Sequence, residues 1–286
     1  ESKQSDILSC DSVAVYRGMD IGSAKPSDDE QQKVFHYGIN LSEVDSVYTV
    51  GDYSKYAKNV IEKLFKEDKK FLVVGGSGFY LQSFLSPVVD KVEVEKSLTE
   101  KVNMLEEEKN TDGILLELKR LNPEGLGTLD VLNPRRVSRA LIRCLASGKS
   151  LLQLNHEFNS LPPPFPGIDK KVLWLDRENE DLYERIACRT KKMLDSGLLN
   201  ETQILLDRGI EKNVSAANAI GYRECIAYLK GKLNVEDLTK EINHSTRRLV
   251  SKQRKWFRKH FGEHSRVMIK KNTKIDPNQC EWVRHT

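Results

Sequence analysis

SCDSVAVYRGMDIGSAKP, residues 9–26, follows a short apolar run, Ile7-Leu8, and sets an acid, Asp11, just past it. An acid just beyond a β-strand stands where open α/β sheets place their ligands, outside the carboxyl ends of the strands. Tyr16 and Arg17 come next, then a loop marked by Gly18, Gly22 and Lys25-Pro26. Thr49-Val50-Gly51-Asp52 has the form of a capping box. The helix it starts carries Tyr53, Ala57, Val60, Ile61, Leu64 and Phe65 at helical spacing. Phe71-Leu72-Val73-Val74 is then a continuous apolar run that stops at Gly75-Gly76-Ser77-Gly78. Short apolar runs alternating with helices predict βαβ units around a parallel sheet. The glycine turn has two readings, a tight turn or a place where backbone amides meet a ligand closely.

From residue 92 to residue 166 the strand signals vanish. The text becomes helical and charged, with Leu115, Leu116, Leu118 and Leu121, then Val137, Leu141 and Leu145. Leu161-Pro162-Pro163-Pro164-Phe165-Pro166 closes it as a stiff, extended linker. The expected organisation is an α/β core over 1–91 and 167–286, interrupted by an all-helical insertion over 92–166. Val172-Leu173-Trp174-Leu175 resumes the strands.

Bulk properties exclude several classes. A chain of 286 residues, 38% hydrophobic and 31% charged, suits a soluble globular protein rather than a disordered one. Five cysteines without CxxC pairing argue against a disulfide framework and a zinc site, and suit a reducing, cytoplasmic compartment. No apolar run approaches the ~18 residues of a membrane span, so no membrane partner is expected. The polar opening ESKQSD enters a strand at once, which predicts that sequence precedes Glu1 in the complete protein. The net charge of +4 is mild, but its distribution is uneven: residues 247–259 read RRLVSKQRKWFRK, without one acid.

Two late helices carry the most chemistry. In the first, Leu182, Ile186 and Met193 form an apolar stripe. Arg189 projects between them and Arg185 flanks it, so Arg189 must meet an internal acid or reach an anionic ligand. In the second, residues 235–260, Leu238, Ile242, Leu249 and Trp256 share a face, and Lys240, Arg247, Arg254 and Arg258 line the opposite one. Such a basic line is either a solvated face or a seat for a phosphate backbone.

Read in order, these strings resemble the tRNA dimethylallyltransferases, the isopentenyltransferases that prenylate an adenosine beside the anticodon. The resemblance rests on residues 9–26, Val34-Phe35-His36-Tyr37, residues 74–81 (VGGSGFYL), residues 133–141 (NPRRVSRAL), Tyr183-Glu184-Arg185-Ile186 with Arg189 and Met193, residues 219–224 (AIGYRE), and residues 246–258. It implies a P-loop-NTPase-like parallel sheet flanked by helices. It implies attack by the exocyclic amine of the adenosine on the first carbon of dimethylallyl diphosphate, with Asp11 as general base and diphosphate as leaving group. Ser77, with Arg185 or Arg189 and a magnesium ion (Mg2+) of unassigned ligands, would hold that diphosphate; Ser77 counts with Asp11 as catalytic. The implied tRNA contacts are Asp11, Ser12, Val13 and Ala14; Arg135, Arg136, Val137, Ser138 and Arg139; Asn218, Ala219, Ile220, Gly221, Tyr222 and Arg223; and Ser251, Lys252, Gln253, Arg254, Lys255, Trp256, Phe257 and Arg258. The partners implied are the tRNA anticodon stem-loop and dimethylallyl diphosphate, acting on a monomer.

The chain departs from the family pattern in three places. No GxxxxGK[ST] phosphate loop occurs anywhere in the sequence, so the loop and the first strand of the fold are expected to be missing from this chain. Ser77 replaces the commoner Thr and the usual paired histidine is His36-Tyr37. Arg135 stands where many relatives have Gln. Two alternatives remain open: an adenylate isopentenyltransferase acting on free nucleotides, and a tRNA-binding protein that lost catalysis along with its phosphate loop.

Overall fold

In the computed structural model, residues 5–271, Thr273 and the backbone of residues 283 and 284 are described. The chain divides into two compact units, residues 1–84 with 167–286, and residues 85–166.

In the first unit β1 (Asp6–Ser9) lies between β2 (His36–Tyr37) and β3 (Phe71–Val74), all parallel, with Ile7 level with His36 on one side and Leu72 on the other. Helix α1 (Asp28–Lys33) is closed by a Ser27–Glu30 capping box, and α2 (Val50–Lys66) by the Thr49–Asp52 box. Thr49 N–H donates to Asp52 Oδ2 at 2.9 Å and Asp52 N–H to Thr49 Oγ1 at 3.2 Å, satisfying donors the helix cannot. Tyr53, Ala57, Val60, Ile61 and Leu64 are buried. Phe65, expected on that face, is 55% exposed and meets only the edge of Phe71. Tyr53 donates to Ser9 O at 2.8 Å and stacks on Tyr80 of α3 (Gly78–Leu85), with centroids 4.0 Å apart. These bonds dock α2 and α3 against the carboxyl end of β1.

The second unit carries helices and no strand among its described residues: α4 (Lys96–Leu121), α5 (Pro134–Ser147) and α6 (Leu151–Asn159). Val102, Ile114, Leu118, Val137, Leu141, Leu151 and Leu154 form its core. The backbone leaves the helix at Asn110 (φ 56°) inside α4, a sign that Asn tolerates better than most residues. Buried Asn122 donates to Leu118 O at 2.7 Å and accepts from Leu151 N–H at 2.6 Å, joining the end of α4 to the start of α6.

The chain re-enters the first unit through β4 (Lys171–Val172) and β5 (Trp174–Asp176). The sequence reads these residues as one strand, but they take different partners. After α7 (Asn179–Asp195), α8 (Leu198–Asp207), α9 (Val214–Ala217), α10 (Tyr222–Leu229) and α11 (Val235–Phe261), β5 pairs in parallel with β6 (Arg266–Met268), and β4 pairs antiparallel with β7 (Val283–Arg284). β6 and β7 lie in short, polar text that carries no strand periodicity. The architecture is an α/β fold with helices and a small parallel sheet. Among the described residues no helix is long and apolar enough to cross a membrane.

Candidate active site

The site is built at the carboxyl ends of β1 and β3. Cys10 N–H donates to Val74 O at 2.7 Å, so the pairing continues one residue past β1 before the chain turns away. At that turn Asp11 Oδ1 accepts from the N–H groups of Val13 (2.8 Å) and Ala14 (3.2 Å). The carboxylate is thereby oriented by its own loop through one oxygen. Oδ2 has no hydrogen-bond donor among the described residues. Cys10, next to it, is no competing base, since burial pushes its thiol up to about 12.

Ser77 ties the two strand ends together. Its N–H donates to Cys10 O (3.2 Å), its Oγ accepts from Ser12 N–H (2.9 Å) and it donates to Ser12 Oγ (3.1 Å). The glycines around it meet protein rather than open space. A Cβ on Gly75 would strike Cys10 O, one on Gly76 would strike the Gln253 amide, and one on Gly78 would lie 2.9 Å from the Trp256 indole. Gln253 Nε2 donates to Gly76 O at 3.1 Å. The reading of these glycines as a cradle for a ligand therefore gives way, for these three, to close packing of α11 and the Cys10 backbone on the turn.

Arg189 is a cation near Asp11. The sequence places it on the buried stripe of α7, but only Ile186 of that stripe is fully inside; Arg189 is exposed and lines a cleft of about 610 Å³. It has no hydrogen bond or ion pair among the described residues. Desolvation lowers its pKa and the Asp11 carboxylate nearby opposes that shift, so the two groups sense each other without pairing. Arg185, one turn earlier, and Lys192, which also lines the cleft, are exposed and unpaired among the described residues. Across the cleft stand Asp20, Ile21, Ala24 and Lys25.

Several expected tRNA-contacting side chains are interior. Ala14, Val137, Ser138, Ala219 and Tyr222 are 0–8% exposed, and Gly221 is buried too. Ser138 Oγ is occupied with Glu106 and Pro134 O, and Tyr222 OH with Glu201. These side chains pack inside the fold. Ser12, Arg135, Arg136, Arg139, Asn218, Arg223, Ser251, Lys252, Lys255 and Arg258 are exposed, Val13, Ile220, Gln253, Trp256 and Phe257 half-buried. Arg223 is tied to Glu224 and Ser245.

Most of the basic line on α11 is paired within the chain. Arg254 is spent on Asp176: Nε and Nη2 reach its carboxylate at 2.9–3.1 Å, Nη2 also reaches Arg177 O and Nη1 reaches Asn179. Arg258 pairs with Glu263, Lys240 with Glu236 and Asp237, and Arg247 lies over the Tyr183 ring. The acids lie outside the 247–259 window, so the window looked unneutralised. A different line is bare. Arg248, Lys252, Lys255 and Lys259 recur at i, i+4, i+7 and i+11, about 80° round the helix from Lys240. All four are exposed, and none has a hydrogen bond or ion pair among the described residues.

A carboxylate with one oxygen free of donors, near a cation without an ion pair, both among the described residues, can accept a proton beside an anion. The sequence profile of the IPP transferase family matches residues 14–260. The tRNA dimethylallyltransferase of Opitutus terrae is 44% identical over 268 residues, 93% of this chain and 86% of that protein. The tRNA isopentenylpyrophosphate transferase of Bacillus halodurans superposes with a TM-score of 0.64 at 25% identity, over 93% of this chain and 81% of that one. A eukaryotic dimethylallyltransferase acting on tRNA gives 0.73 at 25% identity, over 88% of this chain and 63% of that one. The chain belongs to the IPP transferase family.

Proposed function

We propose that this chain is a tRNA dimethylallyltransferase that moves a dimethylallyl group from dimethylallyl diphosphate to the exocyclic amine of the adenosine 3′ of the tRNA anticodon. The bond from the first prenyl carbon to the diphosphate oxygen breaks, a carbon–nitrogen bond forms at the amine, and the amine proton passes to Asp11. The observation that carries this reading is Asp11 Oδ2 at the end of β1, without a hydrogen-bond donor among the described residues, near Arg189, which has no ion pair among them. Ser77 orders the base loop, and Arg189, with Arg185 beside it on α7, receives the departing diphosphate.

Magnesium enters as companion of that diphosphate. Among the described residues no group of three or more His, Cys, Asp or Glu could hold a metal. The Ser77 hydroxyl would give a magnesium ion one protein ligand, its other ligands being phosphate oxygens and water. When bound, the ion would supply neutralising charge to the leaving group.

The finer description of the core as P-loop-NTPase-like is part of the proposal; the parallel order β2-β1-β3, with the site at its carboxyl ends, supports it. For the nucleic acid, the bare line of α11 supports a phosphate-backbone contact in the first unit. In the helical unit, exposed Arg135 and Arg139, unpaired among the described residues, support another. Three of the free cysteines (Cys10, Cys144, Cys225) are buried thiols and Cys188 is an exposed one, which supports a reducing, cytoplasmic setting.

The test incubates the protein with labelled dimethylallyl diphosphate and either tRNA or AMP. Label on tRNA and not on AMP is expected. Transfer to AMP alone would make the enzyme a free-nucleotide prenyltransferase, and tRNA binding without any transfer would make it a pseudoenzyme.

A further inference from the structure

Between the Asp11 turn and α1, residues 16–25 form a loop whose residues Asp20, Ile21, Ala24 and Lys25 make one wall of the cleft, with Arg189, Lys192 and Met193 of α7 as the other. Cleft width therefore depends on what holds that loop. Lys25 anchors one end. Its side chain is 3% exposed, and Nζ donates to Tyr16 O (2.9 Å), Asn40 Oδ1 (2.7 Å) and Asp20 Oδ1 (2.5 Å).

The other anchor is a carboxylate on α8. Glu201 Oε2 accepts from the N–H groups of Asp20 (3.1 Å) and Ile21 (2.8 Å), and Oε1 accepts from Gly22 N–H (3.2 Å). Three successive amides converge on one anion, the arrangement of a backbone nest. Tyr222, fully buried on α10, completes it by donating to Oε1 at 2.6 Å. Burial first, and then the Glu201 charge, push the phenol pKa far up, so it remains a donor. The Tyr222 ring lies 2.6 Å from where a Gly22 Cβ would stand, so the loop settles on the ring only because residue 22 has no side chain.

We infer that Glu201, backed by Tyr222, is a positioning residue for the transfer: it fixes the Asp20–Gly22 wall at the distance from Arg189 that the prenyl diphosphate requires. This inference rests on the prenyl-transfer reading above. Glu201 touches neither reacting group; it acts through the loop. Replacing it with Gln turns an amide donor towards backbone donors and unties the wall, while the bare cations of α11 and of the helical unit stay as they are.

The experiment measures steady-state transfer and direct tRNA binding for wild type, Glu201→Gln and Tyr222→Phe. For Glu201→Gln the KM for dimethylallyl diphosphate should rise about tenfold, the order of one lost charged hydrogen bond, with kcat changing less and tRNA affinity within about twofold. Tyr222→Phe keeps the ring on Gly22 and should raise the same KM about threefold. An unchanged KM in a folded variant, or a loss shared equally by both substrates, overturns the positioning role. Should Glu201→Gln fail to fold, Tyr222→Phe decides alone: wild-type KM there overturns the inference. An inactive wild type would instead strike at the functional reading.

Discussion

Two carboxylates stand at the carboxyl ends of parallel strands in the same unit and meet opposite fates. Asp176 closes β5 and is 6% exposed in its side chain, with Arg254 and Arg266 both on its oxygens and the Arg177 N–H on Oδ1. Asp11 follows β1 and uses one oxygen on its own loop, and its other oxygen has no donor among the described residues, with Arg189 nearby and not paired to it. The same contrast recurs on α11, where Lys240, Arg254 and Arg258 are ion-paired and the Arg248–Lys259 line has no ion pair among the described residues. Charges that are paired here hold elements together: Arg254 places its neighbours Gln253 and Trp256 against Gly76 and Gly78.

The sharpest way to break this contrast is to remove each acid. Asp11→Ala should lower turnover by about 10³-fold, within the range for a lost general base, with a urea midpoint near wild type. Asp176→Ala should do the reverse. It leaves two arginines without their shared anion and should cost about 3 kcal/mol in urea unfolding. Equal effects of the two on stability would end the comparison.

Next in size, Arg189→Ala should reduce kcat/KM for dimethylallyl diphosphate about 10²-fold, as expected for a lost contact to developing charge, while tRNA affinity is kept. A drop in tRNA affinity instead would move Arg189 out of the diphosphate site.

The two lines of α11 differ in a way salt reads directly. Lys252→Ala with Lys255→Ala should lower the slope of log affinity for tRNA against log salt by about 1.5 to 2, and Arg258→Ala should leave it unchanged. Equal slopes for both would return the bare line to an ordinary solvated surface.

The smallest effect is a pH dependence. Burial pushes the Asp176 carboxyl up, but hydrogen bonds from Arg254, from Arg177 N–H and from Arg266 outweigh it and hold the group below its usual value. A folded pKa below the unfolded one adds stability that is complete above the unfolded pKa, about 3.9, and is lost as pH falls through the folded pKa. Asp176→Asn should therefore be less stable than wild type at pH 7, with the gap narrowing below about pH 4. A gap that is constant with pH would mean that the carboxylate charge contributes nothing.

Local text carried much of the fold and the residue types of the site. The apolar runs at 7–8 and 71–74, the Thr49 capping box and the periodic face of α2 are decided by neighbours a few residues away, so they were legible. So were Asp11 as an acid past a strand, Ser77 at the turn and Arg189 on α7. What was not legible was which charges are spent. Asp176 meets Arg254 and Arg266 from 78 and 90 positions away, and Glu201 meets the Asp20–Gly22 amides from about 180. β6 and β7 were missed because two- and three-residue strands have no period to read; their partners make them strands. A sequence determines which groups can ionise, donate or pack. Only the tertiary structure decided that Arg254, Tyr222 and Ser138 are occupied while, among the described residues, Asp11 Oδ2, Arg189 and the Arg248–Lys259 line are not. An ion pair depends on distance in space, which the spacing of residues along the chain does not supply.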